Sequence, residues 1–590
     1  MHSTRSIIAG CAVSLCIWAC GGAAQSVGSA VQAGGDEWWR HAVIYEVYPQ
    51  SFQDSDGNGI GDLKGITSRL DYLHDLGIDA IWITPIYPSL GVDNGYDIAE
   101  YTEIDPKYGT LADFDNLVAE ARKRNIRVIM DYVINHTSDQ HPWFKESRSS
   151  RTNPKRDWYV WRDGKGETAA DKGGAPNDRS SSLGSKGQPP NNWQSWFGHS
   201  AWQWDEMTRQ YYYHYFYVQQ PDLNWRNPEV HTAMMGVLDF WMKRGVAGFR
   251  IDAVSRLFED PQMRDDPYLP GTNAYGDRNV RHKYTDDLPE VHDVLKEVRR
   301  TVDKYPGDPV LVTEADEPNA EALTKMYGNG DEVQLPMDFQ IADVNALSAA
   351  KFRRLFDEIE NNSAHGQPEY FFSNHDQPRQ WDRYGDGTHN DQIAKLMAVL
   401  ELTTRGTPQM YYGEELGMRT TDPARIEDVH DPIGKLGWPK EKGRDGERTP
   451  MQWDATANAG FTTGKPWLAV PPSAKTYNAD TESKDPNSIL NSYKKLLVLR
   501  KTNAALRDGR QVDIDGKNHD VYAFLRRAGN NTVLVALNMS GQPRTVNLDW
   551  SGHGIHASKL ECLYASQDTK LDSIKEIELA PFAAVVAEVK

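Results

Sequence analysis

The sequence predicts an α/β protein whose main domain is a (β/α)8 barrel of the TIM type. Eight short apolar runs alternate with amphipathic helical segments along most of the chain. Runs that are apolar at nearly every position are typical of parallel strands buried on both faces. Most of these runs end abruptly in polar residues, as strands do at the carboxyl-terminal mouth of such a barrel. A closed barrel therefore explains the pattern better than an open, doubly wound sheet.

The predicted strands are short and follow one another in a regular order. They are AVIYEVYP from Ala42, AIWITP from Ala80, VIMDYVINH from Val128, GFRID from Gly248, VLVTE from Val310, VQLPMDF from Val333, YFFSNHD from Tyr370 and PQMYYGEE from Pro408. Helical patterns lie between them, for example at Leu111 to Arg124, Glu229 to Lys243 and Val291 to Val302. This alternation of strand and helix predicts the barrel.

Two segments depart from the alternation and predict further domains. Residues 140–222 are much longer than a β–α loop and hold a Gly/Ser/Pro-rich zone followed by an aromatic-rich zone. We expect an inserted domain there, after the third strand, leaning over the mouth. Residues 504–590 contain short alternating strands that predict a C-terminal antiparallel β-sandwich. The barrel would then comprise residues 38–139 and 223–503.

The N-terminus predicts an export signal. Arg5 precedes a short apolar run from Ile7 to Ala19, which is too short to span a bilayer as a mature helix. Either residues 1–24 form an ordinary signal peptide, or residues 1–19 form a lipoprotein signal that leaves Cys20 as a lipid anchor. Residues 25–37 would be a flexible tether. The expected location is periplasmic or extracellular, with or without the anchor.

Charge and cysteine content restrict the partners. The formal net charge is −19, and so acidic a protein repels phosphate backbones and anionic lipids. We therefore expect no nucleic-acid partner, and membrane contact only through the N-terminal lipid anchor. Three of the four cysteines lie in the signal, so Cys562 remains and no intramolecular disulfide is predicted.

Carboxyl groups at the ends of three strands suggest glycosidic bond cleavage. That reaction needs one ionised carboxylate to attack C1 and one protonated carboxyl to protonate the leaving oxygen. Asp252 follows Arg250 by two residues, so both lie on one face of the strand, where the guanidinium can keep Asp252 ionised. Glu314 at the end of the next strand would be the acid. Asp376 would bind substrate hydroxyls and keep Glu314 protonated.

These segments resemble the α-amylase family of glycoside hydrolases. DYVINH, GFRIDAV, VLVTEAD and FFSNHD stand in the order of that family's four signature regions. A narrower resemblance, to the α-glucosidase and oligo-1,6-glucosidase branch, is carried by VYPQSFQDSDGNGIGDLKGI, DNGYDI, QPDLNWRNPEV, NHDQPR and GRDGERTPMQWD. Departures are small: Thr313 stands where the family often has Gly, and Tyr132 and Ile134 vary within their motif.

The resemblance implies roles for individual residues. Asp252 matches the nucleophile, Glu314 the acid/base and Asp376 the transition-state stabiliser. The residues matching substrate contacts are His136, His375 and Arg250 around the cleaved glucose, Asp93, Tyr96 and Arg444 closing the pocket behind it, and Phe197 and Phe216 as aromatic walls.

A loop near the N-terminus has the spacing of a calcium site. Asp54, Asp56, Asn58 and Asp62 place oxygen ligands at alternate positions, as in the first half of an EF-hand loop. The twelfth position is Gly65, so the bidentate Glu of an EF-hand is missing. In the resembled branch this loop binds one Ca2+, with the carbonyl of Ile60 as a further ligand. We expect a structural Ca2+ and no organic cofactor, and the alternative is a metal-free Gly/Asp-rich turn.

The expected function is that of a retaining, exo-acting α-glucosidase that cleaves disaccharides or short oligosaccharides. Ala253, directly after the nucleophile, favours α-1,4 links, since in the resembled branch Val at this position accompanies α-1,6 cleavage. An α-glucosyltransferase or a disaccharide isomerase of the trehalose synthase type would use the same catalytic residues. The arginine-rich motif of sucrose isomerases is absent. A non-catalytic scaffold like the transporter subunits that resemble this family is disfavoured, because all three carboxylates are retained.

Overall fold

A computed structural model describes residues 37–166, 187–363, 366–514 and 518–590. The predicted signal peptide, the lipoprotein cleavage site and residues 25–36 of the predicted tether lie outside these residues. Among the residues described, no helix combines the length and the apolar character needed to cross a membrane.

The first part of the barrel follows the predicted alternation. Its elements are β1 (Ile44–Val47), α1 (Pro49–Phe52), α2 (Leu63–Ser68), α3 (Leu70–Leu76), β2 (Ala80–Ile83), α4 (Leu111–Lys123) and β3 (Arg127–Val133). Helix α4 shows why such segments are helical. Thr110 and Asp113 form a reciprocal capping box at its start, and Phe114 and Leu117 are among the residues of its buried face.

The predicted inserted domain contains a small antiparallel sheet. Its elements are α5 (Pro142–Ser149), β4 (Trp161–Arg162), β5 (Trp202–Asp205) and β6 (Gln210–Tyr213). The strands lie in the order β4-β6-β5, and both pairings are antiparallel. Isolated bridges pair His136 with Asp222 and Tyr159 with Leu223. The chain therefore returns beside the end of β3, which brings this region to the mouth of the barrel.

The second part of the barrel supplies the five remaining barrel strands. Its elements are α6 (Pro228–Lys243), β7 (Gly248–Asp252), β8 (Tyr268–Thr272), β9 (Arg278–Val280), α7 (Val291–Val302), β10 (Val310–Ala315), α8 (Ala320–Lys325), β11 (Leu335–Asp338), α9 (Phe339–Ala342), α10 (Ala349–Asn362), β12 (Glu369–Tyr370), α11 (Gln380–Tyr384), α12 (Asn390–Thr403), β13 (Thr407–Tyr411), α13 (Pro432–Gly437), α14 (Ala479–Ser483) and α15 (Ile489–Thr502). Strands β8 and β9 form an antiparallel hairpin that the sequence analysis did not predict.

Eight of these strands close into the predicted parallel barrel. Around the barrel the order is β1-β2-β3-β7-β10-β11-β12-β13, and every neighbouring pair is parallel. The first residue of β7, Gly248, has to be a glycine, because a Cβ there would lie 2.0 Å from the backbone oxygen of Val310 on β10. Alternate positions along the barrel strands contribute side chains to one buried apolar cluster, which includes Ile44, Trp82 and Met337. The interior is therefore packed, and the free space lies at the mouth.

The C-terminal region is antiparallel, as predicted. Its elements are α16 (Ala504–Asp508), β14 (Arg510–Asp513), β15 (Val521–Ala528), β16 (Asn531–Asn538), β17 (Arg544–Asn547), β18 (Leu560–Ala565), β19 (Glu576–Leu579) and β20 (Ala584–Val589). One sheet has the order β14-β15-β16-β20-β18, and β17 pairs with β19 in a second sheet. Val546 and Ile577 of the small sheet share a hydrophobic cluster with Leu534 of the large one.

Candidate active site

A cavity of about 460 Å³ lies at the carboxyl-terminal mouth of the barrel. Nine of the eleven predicted catalytic and substrate-binding residues line it: Asp93, Tyr96, His136, Phe197, Phe216, Asp252, Glu314, Asp376 and Arg444. The other two, Arg250 and His375, are buried and contact lining residues. The eleven residues, which come from distant parts of the sequence, thus form one site.

Arg250 brings the two central carboxyl groups together. Its Nη1 lies 2.5 Å from Asp252 Oδ1, and its Nη2 lies 3.0 Å from Glu314 Oε2. The backbone N–H of Ala253 also donates to Glu314 Oε2, at 3.0 Å. Asp131, near the end of β3, approaches Arg250 Nη1 to 3.3 Å. One guanidinium therefore serves three carboxyl groups.

This excess of carboxyl groups changes their proton affinity. Burial raises the pKa of Asp252 well above its usual range; the Arg250 charge opposes the shift, and the carboxylates of Glu314 and Asp131 add to it. Burial likewise raises the pKa of Asp131 to about 6. A buried cluster with more carboxyl groups than cations retains a proton more readily than exposed carboxylates do. Such a cluster suits a reaction that needs one carboxyl ionised and another protonated.

Asp376 has the opposite environment. Its Oδ1 lies 2.9 Å from Arg444 Nη1 and 2.7 Å from Arg448 Nη2, and its Oδ2 lies 3.2 Å from His375 Nε2. Burial alone would raise the pKa of Asp376, but the imidazole and the two guanidinium groups hold it well below the usual range. Asp376 is therefore a permanent negative charge facing the cavity.

Arg444 closes one side of the cavity. Its Nη2 lies 2.8 Å from Asp93 Oδ1, and its Nε lies 2.9 Å from Asp431 Oδ2. Together with the bond to Asp376, Arg444 joins three acidic side chains from separate segments. Gln220 Nε2 donates to the second Asp93 oxygen at 3.1 Å. The guanidinium of Arg444 and the amide of Gln220 thus hold the two oxygens of Asp93 in place.

A chain of hydrogen bonds orients His375. Tyr96 Oη donates to Asp131 Oδ2 at 3.0 Å and lies 2.8 Å from His375 Nε2, while His375 Nδ1 lies 2.7 Å from Glu46 Oε1. Burial lowers the pKa of His375 to about 3 and raises that of Glu46. His375 is therefore neutral near pH 7, and Tyr96 and Glu46 contact its two ring nitrogens. The network fixes the orientation of the ring.

His136 and the two predicted phenylalanines form an adjoining wall. His136 Nε2 lies 3.1 Å from the backbone oxygen of Tyr96, and burial lowers the pKa of His136 to about 4, so it is neutral near pH 7. The Phe216 ring centre lies 5.2 Å from that of His136. Phe197 stacks on Tyr217, with 4.1 Å between ring centres. These faces suit the apolar side of a sugar ring.

The structure places further residues in and around the site that the sequence did not single out. Those around the predicted residues are Glu46, Gln220, Asp431 and Arg448, and those toward the outer cavity include Trp196, Arg256, Asp316, Asp343 and Glu441. Gln220 and Arg448 lie within quoted motifs, and Glu46 is a polar residue in the first predicted strand, so the sequence held a usable signal for these three. Trp196 lies in an aromatic-rich stretch whose periodicity does not separate core from cavity.

The predicted calcium loop brings three of its carboxylates together. Ligand oxygens of Asp54, Asp56 and Asp62 lie within 4.8 Å of one another. Asp54 accepts four hydrogen bonds, from the N–H groups of residues 56, 57 and 59 and from Thr462 Oγ1. Asp62 caps α2 by accepting from Gly65 N at 2.8 Å. The oxygen-rich donor set fits a hard cation, and Asp56 is the exposed one of the three carboxylates.

A barrel mouth with this arrangement of carboxyl groups around one arginine defines an enzyme of the glycoside hydrolase class. The family model described as "Alpha amylase, catalytic domain" matches residues 46–509. The chain belongs to this family, which confirms the resemblance inferred from the motifs.

Individual relatives differ in their named activities. The chain is 40% identical to a probable α-glucosidase of Rhizobium meliloti (strain 1021), over 89% of this chain and 94% of that protein. It is 38% identical to trehalose-6-phosphate hydrolase of Escherichia coli (strain K12), over 85% and 91% respectively. The structure of trehalulose synthase from Pseudomonas mesoacidophila MX-45 matches with a TM-score of 0.84 and 37% identity, covering 94% of this chain and all of that one. Further relatives are named oligo-1,6-glucosidases.

Proposed function

We propose that the protein is a retaining, exo-acting α-glucosidase that releases glucose from the non-reducing end of short α-glucosides and prefers α-1,4 links. The observation that carries the proposal is the sharing of Arg250 between Asp252 and Glu314. Retaining glycosidases need their two carboxyl groups close together, roughly 5–5.5 Å apart. A single guanidinium in contact with both groups holds them at short range.

The proposed reaction uses the two carboxyl groups in turn. Asp252 Oδ attacks C1 of the glucose while the proton of Glu314 passes to the departing glycosidic oxygen, which leaves a covalent glucosyl-enzyme. Both N–H contacts of Glu314 are made to Oε2, so Oε1 remains to carry that proton. Glu314, now ionised, takes a proton from water, whose oxygen attacks C1 and releases Asp252. Asp376 binds substrate hydroxyls as a fixed anion.

Exo action follows from the closed side of the cavity. In the proposed complex the Arg444–Asp93 ion pair would close the space beyond the terminal glucose, so that one ring would fit and internal bonds of starch would not reach the carboxyl groups. We propose that Tyr96, His136 and His375 contact this glucose. Phe197 and Phe216 would face its apolar side.

A transferase or isomerase is the second candidate, because the trehalulose synthase structure is similar to this chain. Both activities pass through the same glucosyl-enzyme and differ in whether water or a sugar accepts the glucose. The deciding experiment incubates the purified protein with maltose, isomaltose, trehalose and sucrose and identifies all products over time. Free glucose, mainly from maltose, supports the glucosidase. Isomerised disaccharides as the main products would support the second candidate, and no conversion of any sugar would support a scaffold.

We also propose that the loop around Asp54 holds a structural Ca2+. The side chains of Asp54, Asp56, Asn58 and Asp62 and the carbonyl of Ile60 would supply the ligands. The carboxylate cluster and the exposed Asp56 side chain support this. When bound, the cation would stabilise the loop, and it takes no part in the proposed chemistry.

Export remains a proposal based on the sequence. The apolar N-terminal run supports a signal, with either ordinary cleavage near residue 24 or lipidation of Cys20. If Cys20 is lipidated, the mature protein should partition into detergent, and Cys20→Ala should abolish this partitioning. A soluble mature chain that begins near Gln25 would support ordinary cleavage.

A further inference from the structure

The cavity has an outer part whose chemistry differs from that of its floor. We define the outer rim as Trp196, Arg256, Asp316, Asp343 and Glu441, which all line the cavity. All except Arg256 are exposed, whereas the floor residues described above are largely buried. If the floor holds the terminal glucose, the next sugar lies against this rim.

The rim provides a flat apolar surface at Trp196. Trp196 is 53% exposed, and it lines the cavity. The guanidinium carbon of Arg256 lies 5.8 Å from the Trp196 ring centre and 5.1 Å from that of Tyr215. Trp196 is therefore supported from below, and its exposed face can stack on a sugar ring.

The single cation of the rim is already paired. Arg256 contacts Asp286 closely, and its Nη2 lies 3.8 Å from Asp316 Oδ2. Among the described residues that line the cavity, the remaining cation is Arg444, which is bound to Asp93, Asp376 and Asp431. Both guanidinium groups are therefore already matched by carboxylates of the protein.

The carboxylates of the rim favour an uncharged ligand over an anionic one. Asp316, Asp343 and Glu441 give the rim three carboxylates against the single guanidinium of Arg256, which also contacts Asp286. The rim is therefore net negative where the second sugar would lie. A protein that binds phosphate offers it Arg, Lys or backbone N–H donors, and like charges at short range repel one another. Carboxylates instead accept hydrogen bonds from sugar hydroxyls.

We propose that the outer rim selects an uncharged second sugar and rejects one that carries a phosphate. This inference rests on the proposed glucosidase function and names the substrate class of the same site. The relative named trehalose-6-phosphate hydrolase shows that membership of the family does not by itself decide the charge of the substrate. In this chain Asp316, Asp343 and Glu441 decide it.

The test compares maltose with maltose that carries a phosphate on C6 of its reducing glucose. Trehalose and trehalose 6-phosphate form a second pair. α-Glucosyl fluoride, which places only fluoride beyond the floor, reports on the proposed catalytic groups alone. We expect kcat/KM for the uncharged disaccharide to exceed that for the phosphorylated one by at least about tenfold at low salt, because repulsion is strongest when unscreened. The ratio should decrease as salt is added.

Charge-neutral variants identify the residues responsible. Asp316→Asn combined with Asp343→Asn and Glu441→Gln should lower the ratio several-fold. Asp71→Asn combined with Asp480→Asn and Glu561→Gln removes the same charge from exposed positions outside the cavity and should leave the ratio unchanged. Equal kcat/KM for both members of a pair, or an unchanged ratio in the rim variant, would overturn the inference. Failure to release fluoride from α-glucosyl fluoride would instead contradict the glucosidase function.

Discussion

The backbone N–H of Ala253 donates to Glu314 Oε2 at 3.0 Å, so the residue after Asp252 positions the carboxyl group opposite it. The peptide unit that ends β7 thus ties the two proposed catalytic groups together. Arg250 adds a second link between them, because its guanidinium contacts both carboxyl groups. The geometry of the proposed acid therefore depends on a backbone contact that no side-chain motif encodes.

The first prediction concerns the two carboxyl groups. Asp252→Asn should reduce turnover by several orders of magnitude, because the amide cannot form the glucosyl ester. Its melting temperature should be equal to or above that of the wild type near neutral pH, because burial makes the ionised Asp252 costly. Glu314→Gln should impair maltose cleavage far more than fluoride release from α-glucosyl fluoride, since fluoride needs less protonation. Steady-state kinetics on both substrates measure the difference.

Stereochemistry provides the control for that prediction. The glucose first released by the wild type should be the α-anomer, which NMR detects before mutarotation. Early release of the β-anomer would contradict double displacement. Equal losses of kcat/KM on maltose and α-glucosyl fluoride in Glu314→Gln would contradict its role as the acid, because kcat/KM reports the step that forms the glucosyl-enzyme.

The sequence predicted the barrel strands and the central carboxyl groups because both leave a local signal. A buried parallel strand is a continuous apolar run, and a polar residue at its end is conspicuous. Strand β12 was the least distinct, since it has only two residues, Glu369–Tyr370. The β8–β9 hairpin was not predicted, because its exposed strands lack an apolar pattern.

The rest of the site depends on contacts between distant segments. Asp431 lies in an ordinary polar stretch and gains its role only because Arg444 folds against it. Glu46 is one polar residue in an apolar strand, and its function depends on His375, 329 residues further along the chain. No local pattern predicts such pairs. The signature motifs supplied one member of each pair and not its partner.

The second prediction is that Ca2+ stabilises the loop around Asp54. Removing the cation should lower the melting temperature, because a ligand that binds only the folded state stabilises it. The decrease should be modest, since Asp54 already accepts four hydrogen bonds from its surroundings. Asp56→Ala should melt like the chelated wild type and should no longer respond to chelator or added Ca2+. Thermal melts of stripped and reloaded protein test this, and identical curves for both would indicate a metal-free turn.

The third prediction concerns Ala253 and the preferred linkage. Ala253→Val should shift activity from maltose toward isomaltose, by about 10- to 200-fold in the ratio of kcat/KM, as expected for one or two methyl groups in a pocket. The substitution should also reduce stability, because Ala253 has a φ of 46°, which a β-branched residue adopts poorly. The Val variant should therefore melt at a lower temperature. Ala253→Gly, which relieves this strain and adds space, should keep the preference for maltose. Faster cleavage of isomaltose than maltose by the wild type would contradict the proposal.

The fourth prediction concerns a buried carboxyl pair outside the active site. Glu401 of α12 and Glu414 after β13 are hydrogen-bonded to each other, and burial raises the pKa of Glu414 to about 7 and that of Glu401 well above its usual range. Glu414 already accepts from Gln380 Nε2 at 2.6 Å and from Ser373 Oγ at 3.1 Å. Glu414 is therefore the acceptor of the pair, and Glu401 carries the shared proton.

This arrangement determines how stability varies with pH. Because the folded-state pKa values are raised, the folded protein holds a proton that the unfolded chain releases, so the stabilisation is complete below about pH 4 and is lost as pH rises through the folded pKa. The amide of Glu401→Gln can donate to Glu414 without needing that proton. Its unfolding free energy relative to the wild type should thus increase between about pH 5 and 7, by up to ~1.4 kcal/mol per pH unit. Glu414→Gln, which replaces an acceptor oxygen with a donor, should be destabilised across this range. Denaturant unfolding of all three proteins at several pH values tests this, and parallel pH profiles for Glu401→Gln and the wild type would show that the pair shares no proton.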